Sequence, residues 1–199
     1  MVIVRLESAL AAVARSWGPA VAGLDDLVQA LLEPPTWQLS SVLLGTTLLG
    51  AARIGEEALA SCRALEFLDQ ALRLGQVNME DPDEYIENNL LITDYLYARA
   101  IDEVISIDRP RVIALLAQAI MATGSDRSDG GFTDYRCRLI AAALEIGAYL
   151  GEVEGTEAEA VATAAARIGS AGPAGWAEIY PAGPVRDYLR RSVATAASG

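Results

Sequence analysis

The chain has 199 residues, a net charge of −12 and a hydrophobic fraction of 52%. That length fits one domain able to bury roughly 70% of the surface its unfolded chain exposes; the wealth of alanine and leucine favours helices over sheets, and the acidity argues against nucleic-acid backbones and anionic membrane surfaces as partners. All 15 basic residues are arginine and there is no histidine, which excludes Ser/His and Cys/His nucleophile pairs, histidine metal sites, Schiff-base lysines and the phosphate-loop lysine.

The first segment, Met1 to Ser16, sets Val4, Ala11 and Val13 among Arg5, Glu7 and Arg15, and reads as an amphipathic helix ending near Gly18-Pro19. Arg5 and Glu7 interrupt the apolar start, so no signal peptide is expected. Leu24 to Glu33 reads as a second, short helix, with Asp25 and Asp26 at its positive end and Pro34-Pro35 closing it. Ser40 to Ala52 is expected to be a buried helix. The uncharged run that contains it, Pro34 to Ala52, is a poor membrane span because of its two prolines and Gln38, Ser40, Ser41, Thr46 and Thr47. Thr46 and Thr47 are expected to face a helix backbone or neighbour. Glu56 to Leu74 reads as a longer helix with Leu59, Cys62, Leu65, Leu68, Ala71 and Leu72 on one face and Gly75 as its cap. Cys62 and Cys137 are lone, unpatterned thiols, read as small core residues in a reducing, cytoplasmic setting.

Residues 80 to 87, EDPDEYIE, crowd acids ahead of the next helix. They form either a magnesium site or an acidic first helical turn around Pro82. From Leu90 to Ile105 the apolar residues leave only a thin charged seam of Asp94, Arg99, Asp102 and Glu103. Asp108 and Pro110 restart the chain, and Val112 to Gly124 carries no charge at all. Two such helices joined by a short turn predict an antiparallel pair, central in a bundle or lying at a subunit interface. After a turn at SDRSDGG, Tyr135 to Leu150 reads as another buried helix ending at Gly151, and Thr156 with Glu159 as a capping box opening a helix over Glu157 to Ile168. Regular structure is expected to break at the glycines and prolines after Gly169, with a last short helix over Val185 to Ala197. The fold class is all-α, a single domain of about eight helices over residues 1–199.

The order and spacing of these segments resemble the trans-isoprenyl diphosphate synthases. Thr93 to Ala100, TDYLYARA, resembles the GDYLLARA-like start of that family's central helix; Ser41 to Gly50, then Ala64 to Leu68, resemble the helices leading to its first aspartate-rich motif; Arg138 to Gly151 and Ala166 to Ala171 resemble later helices. The match spans most of residues 37 to 180 and implies an isoprenoid-synthase-type bundle, truncated at its C-terminal end.

The departures matter as much as the match. The first aspartate motif falls on Gln76, Val77 and Glu80, the second on Trp176, Ala177 and Tyr180, the lysine-threonine pair on Tyr135 and Arg136, and the arginine-rich site near Pro35, Thr36 and Gln38. Expelling diphosphate from an allylic carbon needs magnesium ions held by facing carboxylates to meet the developing charge, and those carboxylates are replaced. The resemblance therefore implies a noncatalytic accessory subunit of a heteromeric polyprenyl diphosphate synthase. Such a subunit carries no cofactor of its own, magnesium belongs to a catalytic partner chain, and the two pair as a heterodimer or higher heteromer. The family dimerises through the helices matching Leu90 to Ile105 and Val112 to Met121, so the expected subunit interface is Leu91, Asp94, Tyr95, Tyr97, Ala98, Ile101, Ile105, Val112, Leu115, Leu116, Ala119 and Ile120. The alternative is that the same residues are merely a monomer's core. Two other readings stay open: a lipid- or isoprenoid-binding protein, homodimeric on its own, and a magnesium-dependent enzyme using Glu80, Asp81, Asp83 and Glu84, for which Glu178 is the lone acid near Trp176.

Overall fold

An uncharged stretch, Gln38 to Gly50, sets the middle of the molecule: every residue from Leu39 to Leu48 is buried. The computed structural model describes residues 2–21, 37–51, 53–80, 86–125, 135–171, 183, 186 and 187. Among them it forms seven helices and no strand: α1 (Val2–Val21), α2 (Gln38–Gly50), α3 (Glu56–Glu80), α4 (Ile86–Ser106), α5 (Pro110–Ser125), α6 (Tyr135–Leu150) and α7 (Gly155–Ala171). The expected helices over Leu24–Glu33 and Val185–Ala197 fall almost wholly outside the described residues.

Three of the hydroxyls that made α2 a poor membrane span bond back to carbonyls four residues earlier. Thr46 Oγ1 donates to the Val42 carbonyl at 2.7 Å, Thr47 Oγ1 to that of Leu43 at 2.9 Å, and Ser41 Oγ to that of Trp37 at 2.6 Å. The fourth, Ser40, turns to a neighbouring helix, so each of these buried hydroxyls has a partner. Against α2 lies α6, and the crossing is closest where α6 carries glycine. A Cβ on Gly147 would stand 2.5 Å from the Leu43 carbonyl oxygen, and one on Gly151 2.5 Å from that of Thr47. These two positions, one turn apart, are glycine because backbone meets backbone there.

The longest helix, α3, runs alongside α4 and also touches α1, α2 and α6. It passes straight through Gly75, which does not cap it. Burial of Leu72 and Leu74 outweighs the ~1 kcal/mol that a glycine costs inside a helix. In α1 the buried stripe is Leu6, Ala9, Leu10, Val13 and Trp17, while Val4 and Ala11, expected on the apolar face, are exposed. The helix continues past Gly18-Pro19 because Trp17 is anchored, stacked on Phe67 at 4.5 Å and edge-on to Trp37 at 5.9 Å. Helix α7 starts at Gly155, ahead of Thr156. Cys62 and Cys137 are both buried in the core, as expected.

The pair α4 and α5 does not occupy the centre; that place belongs to α2, α3 and α6. The turn between them puts Asp108 in the left-handed region at φ 50°, and Pro110 opens α5 where its missing N–H is no loss. From there α4 follows α3 and α5 follows α6, so the two meet lightly along one edge. Among the described residues no helix is long and apolar enough to cross a membrane.

Candidate functional site

Because α4 and α5 lean on different neighbours, a groove opens between them. Its floor is Leu68 of α3 with Ala100, Val104 and Leu116; its walls are Ile101 and Ile105 from α4 and Ile113, Ala117 and Met121 from α5, enclosing about 270 Å³. Ile105 is 63% and Met121 66% exposed, values that set them apart from an ordinary apolar side chain at the edge of a core. Leu91, Tyr95 and Ala98 continue the exposed stripe along α4 at three- to four-residue steps.

The charged seam of α4 divides: Arg99 and Glu103 are half-buried, while Asp94 and Asp102 stay exposed beside the stripe, at three- to four-residue steps from its apolar members. Arg63 of α3 reaches Glu103 at 2.9 Å and Glu56 at 3.0 Å, and Arg99 lies 3.7 Å from Asp102 and 3.9 Å from Glu103. At the turn, Arg109 holds Glu57 at 3.0 Å, and that carboxylate raises the guanidinium above its ordinary value. Of these pairs Arg63–Glu103 joins α4 to α3, and the residues that line the groove are all apolar.

The expected interface residues divide. Leu91, Asp94, Tyr95, Ala98, Ile101 and Ile105 are exposed on α4, and Tyr97 and Ile120 are half-buried. Val112, Leu115, Leu116 and Ala119 are buried within the chain's own core, which corrects their place in that set: the period of α5 points them at the neighbouring helices, and of the four Leu116 alone meets the floor of the groove.

A second arrangement lies between α2, α3 and α6, and pattern reading did not single it out. Glu66, 1% exposed, accepts from the Ser40 hydroxyl at 2.8 Å and from the Ser40 N–H at 3.2 Å. One turn on, buried Asp69 takes a two-pronged ion pair from Arg136 of α6, at 3.1 and 3.3 Å. Burial pushes the Glu66 carboxyl up to about 7, and the repulsion of Asp69 adds to this against the Ser40 hydrogen bonds and the attraction of Arg136. Burial works against the charge of Arg136, but Asp69 lifts it above its ordinary value. Burial likewise pushes the Cys62 thiol up, so it is no nucleophile. The available signal was the pair Glu66 and Asp69, an i, i+3 spacing on the same side of α3 as Cys62.

The positions matching the aspartate-rich motifs fall at the edge of the description. Gln76, Val77 and Glu80 sit in the last turns of α3, with side chains outside the described residues, as are Asp81, Asp83, Glu84, Trp176, Ala177 and Tyr180. Of the six motif positions Glu80 alone is a carboxylate, a donor set that does not fit magnesium. Among the described residues no three acidic, cysteine or histidine side chains gather at metal-binding spacing.

Comparison with protein-family models, with curated proteins and with solved structures finds no match for this chain.

Proposed function

We propose that this chain is a noncatalytic accessory subunit of a heteromeric polyprenyl diphosphate synthase, docking on the catalytic chain through the outer face of α4 and the groove beside α5. The observation that carries the reading is the unpartnered stripe of Leu91, Tyr95, Ile101, Ile105, Ile113 and Met121, all exposed large apolar residues. Covering each of these would contribute on the order of 1–2 kcal/mol, and their continuity over two helices suits a subunit interface. The resemblance of Thr93 to Ala100 to the family's central helix names the class of partner, and the replaced motif residues explain why this chain would need one. Seated against the catalytic chain, the apolar side chains of α4 would bound the cavity into which a growing prenyl tail extends and so set product length.

Co-expression with a complete synthase from the same source, followed by light-scattering mass measurement and product analysis, tests this. The expected result is a heteromer with altered activity or chain length, lost in the Ile101→Asp/Ile105→Asp double variant. Unchanged mass, activity and product length in the mixture refute it. The wholly apolar lining of the groove also favours a second reading, in which it holds an isoprenoid or lipid tail in a homodimer or monomer. Native mass spectrometry of the purified chain separates the two, because a retained lipid without a synthase partner supports the second.

A further inference from the structure

One exposed residue along the groove wall of α4 is not apolar. Asp94 has no hydrogen-bond or ion-pair partner among the described residues. It precedes Ile101 by seven positions and Ile105 by eleven, steps that return to nearly the same angle around a helix of 3.6 residues per turn. The α4 wall of the groove therefore runs Ile105, Ile101, Asp94, with about 10 Å of rise between the last two. An apolar trough ends in a free carboxylate. Asp102, seven residues after Tyr95, lies on the other flank of the stripe and stands 3.7 Å from Arg99 of its own helix.

This placement of charge separates the occupants that an apolar groove admits. A second copy of this chain, paired about a two-fold axis at Ala98 in the middle of the stripe, would set Asp94 against the other copy's Asp102, because each lies four positions from Ala98. Like charges across such a contact oppose it. In that pairing the copy's own α4 and α5 bring no cation to Asp94. Arg99 is half-buried and held by Asp102 and Glu103, and Arg111, two positions before Ile113, lies on the side of α5 away from the groove. A lipid tail would cover the isoleucines and leave the carboxylate unmatched. A third helix covers both, because side chains one turn apart reach the trough while one two turns farther on reaches its end.

We propose that the groove receives an amphipathic helix of the catalytic partner chain, with apolar anchors one turn apart on Ile101 and Ile105 and, about seven residues from the anchor on Ile101, a lysine or arginine paired with Asp94. The source of that helix rests on the subunit reading; its chemistry goes beyond it.

Two fluorescent helical peptides test the chemistry on the full chain by anisotropy. Both carry the same leucine ridge, and about seven residues beyond it one has lysine and the other glutamate. The lysine peptide should bind about three- to tenfold tighter, as expected when an exposed ion pair replaces a repulsion, and the difference should shrink as salt is added. Asp94→Lys should reverse the preference, and Ile101→Asp should weaken both peptides. Glu159→Lys, the same change of charge on exposed α7, should keep the parent's preference. Absence of saturable binding, equal affinities, or a preference unchanged in Asp94→Lys overturns the inference even where a synthase heteromer forms. A homodimer of the chain alone that Ile101→Asp breaks into monomers also overturns it, by making a second copy the occupant. Mixing with the synthase reads the source separately. A heteromer weakened at least about threefold in Asp94→Lys supports the inference, whereas charge-selective peptide binding without any heteromer overturns the subunit reading and the named source, the chemistry of the helix standing.

Discussion

Replacing Glu66 with glutamine isolates the energetic consequence of a carboxyl set between α2 and α3. Folded, this group titrates at about 7, against an ordinary value of 4.5, so the folded chain binds a proton between those two pH values that the unfolded chain has released. Stability attributable to Glu66 is therefore highest near pH 4.5, falls as the pH rises to about 7, and is flat above. The difference amounts to roughly 3 kcal/mol, at ~1.4 kcal/mol per tenfold change in proton affinity. Glu66→Gln keeps the oxygen that accepts from the Ser40 N–H and hydroxyl but carries no charge at any pH. Its new amide needs an acceptor, which adds an offset that does not depend on pH. Urea unfolding of parent and variant, followed by circular dichroism from pH 4.5 to pH 8, should show the variant gaining on the parent by roughly 2–3 kcal/mol across the window. A difference that stays constant with pH, or a parent that gains on the variant as pH rises, refutes the reasoning.

Arg136→Leu strands the buried Asp69 carboxylate; a loss of about 3–5 kcal/mol is expected for breaking a buried pair from one side, with much of it recovered by adding Asp69→Asn, as thermal unfolding would show. Gly147→Ala drives a methyl against the Leu43 carbonyl oxygen; a loss on the order of 1–3 kcal/mol is expected for overpacking, and an unchanged melting temperature would mean that α2 and α6 lie farther apart. Cys62 and Cys137 are buried, so neither should react with an aromatic disulfide reagent until urea unfolds the chain; rapid labelling in buffer would contradict their burial.

Much of the helical layout is legible in the sequence because its signals are local. The absence of charge across α2 means burial, and the apolar face of α3 at Cys62, Leu65, Leu68 and Leu72 repeats with the helical period. Misreadings came where a local signal competed with tertiary packing. Gly75 looks like a cap but lies inside a helix that continues to Glu80, and Gly18-Pro19 looks like an end but follows a tryptophan held between two aromatic rings. Of the polar cluster only the Glu66 and Asp69 spacing on α3 was legible, since Arg136 stands 67 positions from Asp69 and pattern along α3 cannot identify a partner on α6.

The breadth of the apolar surface on α4 and α5 poses the harder question, because pattern alone does not distinguish a helix buried at the centre of one chain from a helix buried between two. Packing distinguishes them residue by residue. On α5 the core takes up Val112, Leu115, Leu116 and Ala119, and the pattern there is explained without a partner. On α4 the core takes Ile92, Leu96, Ala100 and Val104, and still leaves Leu91, Tyr95, Ile101 and Ile105 facing outward. That remainder is more than one helix needs in order to fold onto α3, and it persists although Asp94 and Asp102 stand exposed beside it. A surface apolar beyond the needs of its own fold, contiguous with a groove of the same character, is the reason to look for a second chain at α4.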